Sequence, residues 1–413
     1  MGQQITWLDA FVSPLHRRYH HRKDSAPTIP TIITHSTPTT ITTTTAVRQA
    51  RHNVEDLFAA VHRKEHEMKQ VNKQHASTTD PVRMAMSYAQ ESATPMRLAK
   101  ALRRVHDDPG NPAHPDYQQA DQATTERAQK LKDIGMAELG MRRPSLVVDI
   151  KRQSKLTHPH GGPYCKFDDA GQVAAAMVRL GADAVFINPD FPAYGGDWSE
   201  VRSAVRAVRQ VSDKAAVVVK DIVVDEIQLG LAKEAGADGI VLMSSVLGPA
   251  LETFVNLATT IGLETIVECH TKNEVEYALE KVLATNILVN NYDRIRQELH
   301  PDQAIRLAGL FPGSGGPMIC LATGGLADLS DMKRHLQAGY DGLVIGQAIM
   351  AQPDRAPSMI RTLRDRSFLP AEFAAWGLDD EGKYEFDVDG NLRSAPPSPK
   401  TDLPKAEDPS SFE

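Results

Sequence analysis

Four short apolar, β-branched runs in this chain end in groups that packing alone would not require. SLVVDIK (145–151) ends with Asp149 and Lys151, AAVVVKD (215–221) with Lys220 and Asp221, ETIVECH (264–270) with Glu268 and His270, and NILVNN (286–291) with Asn290 and Asn291. Residues two apart on a strand share a face, so Asp149 and Lys151 point the same way, and Cys269 points away from Glu268 into packing. A single lysine at a strand end is ordinarily a solvated rim residue. Two lysines, a glutamate and an asparagine at four ends suit general acid–base work. A lysine crowded by cations or by burial loses proton affinity, and a nearby carboxylate takes the complementary role.

Two further runs end in glycine, at Thr323-Gly324-Gly325 and Gly346-Gln347. Glycine there lets backbone N–H groups face a ligand, which is how phosphate is commonly held. A phosphorylated small-molecule substrate is therefore expected.

The elements that must position these groups recur along the chain. Apolar runs begin near Ser145, Asp183, Ala215, Asp238, Glu264, Asn286, Met318 and Asp341, at intervals of 22 to 38 residues that leave room for one helix each. Such alternation indicates parallel βαβ units. Three units share a punctuation, Gly181-Ala182-Asp183, Gly236-Ala237-Asp238 and Gly339-Tyr340-Asp341, where glycine ends a helix and a strand starts at once. Eight units most simply close into an α/β (β/α)₈ TIM barrel, with the site at the carboxyl ends of the strands and phosphate at the loops after strands 7 and 8. An open doubly wound sheet would satisfy the same alternation.

Before the barrel, residues 51–143 read as an N-terminal helical extension. Val54, Leu57, Phe58, Val61, Met68 and Val71 recur at helical spacing, a second helix covers about Pro95 to Val105, and a polar stretch to about 122 reads as a loop. The barrel itself is assigned to 144–370. Residues 1–50 hold five Lys/Arg and two acids before the Thr-rich TPTTITTTT at 37–45, and read as a disordered leader. That composition suits an organelle transit peptide, plastid included, and equally an ordinary floppy tail of a cytoplasmic protein. Met1-Gly2 with Thr6 also fits the short N-myristoylation pattern.

Residues 371–413 carry eleven acids against four Lys/Arg, a surplus that equals the whole net charge of −7. This acidic tail reads as disordered apart from a hairpin turning at Asp389-Gly390, and it lacks the ligands of a calcium loop. With the remainder neutral by sum, no basic face calls for nucleic acid. No apolar run approaches the ~20 residues that span a bilayer, so no membrane partner is expected. Cys165, Cys269 and Cys320 are too scattered for a disulfide framework or a zinc site. His158 and His160 read as solvated loop residues, and Trp198 and Trp376 as packing.

Between about 50 and 355 these residues together resemble indole-3-glycerol-phosphate synthases. Lys220-Asp221-Ile-Val-Val-Asp225-Glu-Ile-Gln228 is similar to the family's K-D-F-I-I-D-x-x-Q, and Asp149-Ile150-Lys151-Arg152 with Ser154 to its E-I-K-R-x-S. Asp190 through Tyr194-Gly195-Gly196 matches D-x-x-[FY]-[FY]-x-G, Val267-Glu268-Cys269-His270 resembles V-E-V-H, and Val289-Asn290-Asn291 resembles I-N-N. The helix with Val54-Glu55-Asp56-Leu57 and Arg63-Lys64-Glu65 resembles the family's N-terminal extension, which packs over the barrel mouth.

The resemblance implies ring closure of 1-(2-carboxyphenylamino)-1-deoxyribulose 5-phosphate with loss of carbon dioxide and water, a step of tryptophan biosynthesis that needs no metal or organic cofactor. It implies Lys220 as general acid, and Lys151 as the group that holds the carboxylate and assists dehydration. Glu268 follows as base and cation stabiliser, Asp149 stands for the first-strand glutamate, and Asn290 orients the sugar. Ser154, Tyr194, Thr323, Gly324, Gly346 and Gln347 would line the substrate and phosphate site.

Departures are present too. Asp149 is one methylene shorter than the family's glutamate, KLTHPH follows Ser154 where the family has P-S-x-G, and Tyr292 stands where an arginine is expected. Ala322-Thr323-Gly324 replaces Glu-Ser-Gly. One positioned acid or base is worth about 10² to 10⁴ in rate. A catalytically impaired barrel that binds a phosphorylated ligand or a partner protein is thus the alternative reading, with a related phosphosugar isomerase behind it.

Overall fold

The β-branched runs pair edge to edge around a closed ring. In a computed structural model that describes residues 56–75, 80–91, 96–103, 144–154, 163–311 and 318–364, they form β1 (Ser145–Ile150), β2 (Ala184–Ile187), β3 (Ala216–Lys220), β4 (Gly239–Met243), β5 (Glu264–Cys269), β6 (Asn286–Asn290), β7 (Ile319–Thr323) and β8 (Gly342–Ile345). Every strand begins within one residue of its expected start. All pair in parallel, and β1 bonds both β2 and β8, so the sheet is a barrel and the open alternative falls away.

Strands buried on both faces are apolar throughout. Val147, Phe186, Val218, Val241, Ile266, Leu288, Leu321 and Val344 fill the interior. Their neighbours Val148, Val185, Val219, Leu242, Val267 and Val289 face the surrounding helices. The inward set is the one that continues, two residues on, into the rim groups.

The repeated punctuation has a second role beyond the left-handed glycine at Gly181 (φ 117°), Gly236 (φ 83°) and Gly339 (φ 107°). The aspartate two residues later accepts the backbone N–H of the adjacent strand: Asp183 from Leu146 at 2.7 Å, Asp238 from Val217 at 2.8 Å and Asp341 from Cys320 at 2.8 Å. Arg364, at the end of helix Ala356–Arg364, pairs with Asp183 and donates to the carbonyls of Gly181 and Pro144. The last helix is thereby tied to the first strand.

Among the described residues three helices precede the barrel: α1 (Leu57–His75), α2 (Pro81–Glu91) and α3 (Arg97–Arg103). The expected apolar face of α1 is corrected in one respect. Phe58 is 67% exposed, whereas Leu57, Ala60, Lys64 and Met68 are buried. Lys64 belongs to that face because it meets carboxylates there. Nor does the whole extension cover the mouth. While α1 packs at the carboxyl ends of the strands, α3 seals the opposite end. Its Leu98 and Leu102 join the interior core, and the N–H groups of Leu98 and Ala99 donate to Glu264, the first residue of β5, at 2.7 and 2.8 Å.

The leader, the loop with His158 and His160, Trp376 and the acidic tail lie outside the described residues. The plastid destination that the leader suggested is supported by no feature of the rest. Among the described residues no helix is long and apolar enough to cross a membrane.

Candidate active site

One layer of side chains continues the barrel interior past the carboxyl ends of the strands. It comprises Asp149 on β1 and Lys151 just after it, Asn188 after β2, Lys220 at the end of β3, Glu268 on β5 and Asn290 at the end of β6. Asp149, Asn188, Lys220, Glu268 and Asn290 are all buried. Lys151 Nζ lies 2.5 Å and Lys220 Nζ 3.3 Å from Asp149 Oδ2. Asn188 donates to Asp149 Oδ1 at 2.7 Å. Lys220 Nζ is also 3.6 Å from Glu268 Oε2, and Asn290 donates to Glu268 Oε1 at 2.9 Å. The shorter carboxylate at 149 thus still reaches both lysines.

Arg294, like Asn188, is a residue that sequence reasoning missed. It lies two positions beyond Tyr292, is buried, and sets its Nε 2.6 Å from Glu268 Oε1. A two-residue hairpin, Tyr292–Asp293 against Glu298–Leu299, turns the chain so that the guanidinium points back into the barrel. The Tyr-Asp-Arg order carried the signal, in a register that a linear motif does not allow.

Electrostatics follow from burial and charge. Burial would raise the Glu268 carboxyl, but Arg294 and then Lys220 outweigh it and hold the pKa at about 2. Against the same burial penalty, Lys151 and Lys220 hold Asp149 well below the usual carboxylate range. Lys151 itself is pulled down, mainly by desolvation. Its ammonium lies 5.7 Å from the centre of the buried Tyr194 ring. Glu268 Oε2 and Arg294 Nη1 are buried without a hydrogen-bond partner among the described residues. A buried polar atom without a partner costs about 1–3 kcal/mol, a cost that a polar ligand bound at the rim would relieve. Glu268, Asn290, Tyr292 and Arg294 line a cavity of about 170 Å³ there.

The glycine-rich rim adjoins this layer. Gly324 follows β7, and Gly346 sits over Asp149, where a Cβ would lie 3.4 Å from that residue's own Cβ. Thr323 is buried and spends its hydroxyl on the Val344 carbonyl at 2.9 Å, and Gln347 is exposed. Ala322 packs in the outer shell, so a side chain there would face helices rather than the site. The inward position at that level is Thr323, and the departure from a carboxylate belongs there. Ser154 is buried beside the segment 155–162, which lies outside the described residues.

The remaining motif residues are scaffold. Gln228 donates to Asp221 at 2.8 Å and accepts from the Val224 and Asp225 N–H groups at 2.9 and 3.1 Å, which folds the loop after β3. Asp190 caps the one-turn helix Phe191–Tyr194. It lies 2.9 Å from Arg63 and 2.7 Å from Lys64, and Lys64 reaches Asp221 at 3.3 Å. Asn291 faces outward to the Gly324 carbonyl and His335 at 3.0 Å each. Burial pushes the Cys165 thiol up to about 12, far from a reactive thiolate.

The chain is 30% identical over 210 residues to an indole-3-glycerol phosphate synthase of Carboxydothermus hydrogenoformans, covering 51% of this chain and 75% of that protein. Against the Staphylococcus aureus synthase it is 31% identical over 183 residues, covering 44% and 67%. A multifunctional tryptophan biosynthesis protein of Phanerodontia chrysosporium matches at 27% over 213 residues, 51% of this chain and 26% of that longer protein. Among solved structures, a thiamine phosphate pyrophosphorylase from Pyrococcus furiosus aligns with a TM-score of 0.40 and 16% identity, covering 54% and 95%. The barrel stands on its own strand pairing rather than on that likeness. The family model for indole-3-glycerol phosphate synthase matches residues 98–363, well over half of the chain, from the α3 plug to the last helix. The chain belongs to the indole-3-glycerol phosphate synthase family.

Proposed function

We propose that the chain closes the indole ring of 1-(2-carboxyphenylamino)-1-deoxyribulose 5-phosphate, releasing carbon dioxide and water to give indole-3-glycerol phosphate. The observation that carries this reading is the buried layer of Asp149, Lys151, Lys220, Glu268, Asn290 and Arg294 at one end of the barrel. Lys220, between two carboxylates, protonates the ribulose carbonyl oxygen as the aromatic carbon bearing the carboxylate attacks. Lys151 holds the carboxylate until carbon dioxide leaves and then assists departure of the hydroxyl as water. Glu268 is an anion at neutral pH, so it stabilises the cationic intermediate by charge before it accepts a proton. Asn290 orients the sugar hydroxyls, and the phosphate lies on the backbone around Gly324 and Gly346. Ser154, Tyr194 and Gln347 complete the lining.

Incubation with this substrate should produce indole fluorescence, and Lys220→Ala should reduce it by about 10² to 10⁴. No turnover at high enzyme concentration would overturn the reading. A second reading, a barrel that binds a phosphorylated ligand without turnover, is favoured by Thr323, which puts a committed hydroxyl where a carboxylate would face the site. Calorimetric binding of the phosphate ester with no product would support it. Rescue of a tryptophan auxotroph would exclude it.

A further inference from the structure

Beside the catalytic layer, the chain after β5 and the hairpin after β6 bring together three groups that the proposed chemistry does not use. One ligand atom each from His270, Asp293 and His300 lies within 4.8 Å of the others. His270 follows the last residue of β5, Asp293 sits on the first hairpin strand, and His300 follows the second. The backbone N–H of His300 donates to the Asn291 carbonyl at 2.8 Å and closes the hairpin onto β6.

Two features aim these atoms at a common point. His270 Nδ1 lies 2.6 Å from the Asn290 carbonyl oxygen, an atom that can only accept, so Nδ1 carries the proton and Nε2 presents its lone pair. A histidine oriented through its other nitrogen is the usual arrangement of a metal ligand. Asp293 Oδ1 accepts the N–H groups of Ile295 and Arg296 at 2.9 and 3.0 Å, which fixes the carboxylate with Oδ2 toward the imidazole. The Arg296 side chain, 70% exposed, reaches Oδ2 only at 3.3 Å. His270 Nε2 and Asp293 Oδ2 are 3.7 Å apart, beyond hydrogen-bond range. Two lone pairs therefore face each other across a gap that a cation would bridge.

We propose that His270 Nε2, Asp293 Oδ2 and His300 bind a divalent transition-metal ion of the zinc class. The fourth position is taken by water or by Glu298, whose Oε2 is 3.6 Å from His300 Nε2. Two imidazoles and one carboxylate select such ions over calcium or magnesium. Metal–ligand distances of about 2.0–2.2 Å place tetrahedral ligand atoms about 3.4 Å apart, so the His270–Asp293 pair is nearly in place and His300 moves inward. The ion ties the end of β5 to the hairpin one residue from Arg294, and so holds that guanidinium on Glu268.

The test uses the full chain, freed of metal by a chelator, and Zn²⁺ or Co²⁺ alone as probe. One equivalent of Zn²⁺ should bind by calorimetry, and Co²⁺ should give the visible bands of a four-coordinate site. His300→Gln and Asp293→Asn should each weaken binding at least tenfold, and Zn²⁺ should raise the melting temperature of the native chain but not of His300→Gln. Because the His300 side chain is 37% exposed, that variant keeps the fold and decides the matter if Asp293→Asn does not. His62 and His66, one turn apart and exposed on α1, provide the contrast. Binding lost in His62→Gln/His66→Gln but kept in His300→Gln, or no binding at all, would overturn the proposal.

Discussion

Glu268 illustrates how one residue can be held in a charge state by its neighbours. Its folded pKa of about 2 lies below the ordinary 4.5, so the stabilisation it provides is complete above about pH 4.5 and is lost as pH falls through about 2. The melting temperature of Glu268→Gln should therefore approach that of the native chain over this acid window and differ most at neutral pH. Arg294→Met removes the largest influence lowering that pKa. On the proposed mechanism the acid limb of its kcat/KM profile should move to higher pH, because without the guanidinium the Glu268 carboxyl loses its proton only at higher pH. An unmoved limb would assign Arg294 to packing alone.

At the scale of elements, α1 is joined to the barrel through a lysine set within its apolar stripe. Lys64 sits against Asp190 and Asp221. Arg63 and Lys64 overcome burial to hold Asp190 in its charged form, while burial, with Asp190 nearby, raises Asp221. Lys64→Ala would leave the buried Asp221 without its cation and Asp190 with Arg63 alone, and should cost about 3–5 kcal/mol in urea unfolding. The loop after β7 is equally constrained. A Cβ at Gly324 (φ +90°) would lie 2.4 Å from Asn290 Oδ1 and 2.9 Å from the Asn291 nitrogen. Gly324→Ala should thus displace Asn290 and weaken phosphate-ester binding by at least about tenfold, alongside a stability loss above about 1 kcal/mol.

Across the whole molecule the two ends of the barrel divide the labour. The end with the lysines and carboxylates carries the buried charged layer, whereas the opposite end is closed by α3 and stitched by Asp183, Asp238 and Asp341. A cavity at the closed end should affect stability without touching chemistry. Leu98→Ala should lower the urea midpoint by the equivalent of about 2–5 kcal/mol while leaving kcat and KM unchanged below the melting range. A change in KM would show that the plug communicates with the rim.

Local pattern by itself determined the barrel strands and most of the polar rim layer, since β-branched runs at one-helix spacing specify parallel units and two-residue periodicity sends Asp149, Lys220, Glu268 and Asn290 inward. The same periodicity placed Cys269 correctly in the outer core. Closure of the ring, the two destinations of the N-terminal helices and the burial of Lys64 were decided by tertiary structure, because each depends on a partner more than a hundred residues away. Arg294 was hidden for a related reason. A hairpin resets the register between Tyr292 and Glu268, and only three-dimensional proximity returns a guanidinium to that carboxylate. The gathering of His270, Asp293 and His300 has the same origin, in that residues without a common motif come together only once β5 and β6 lie side by side.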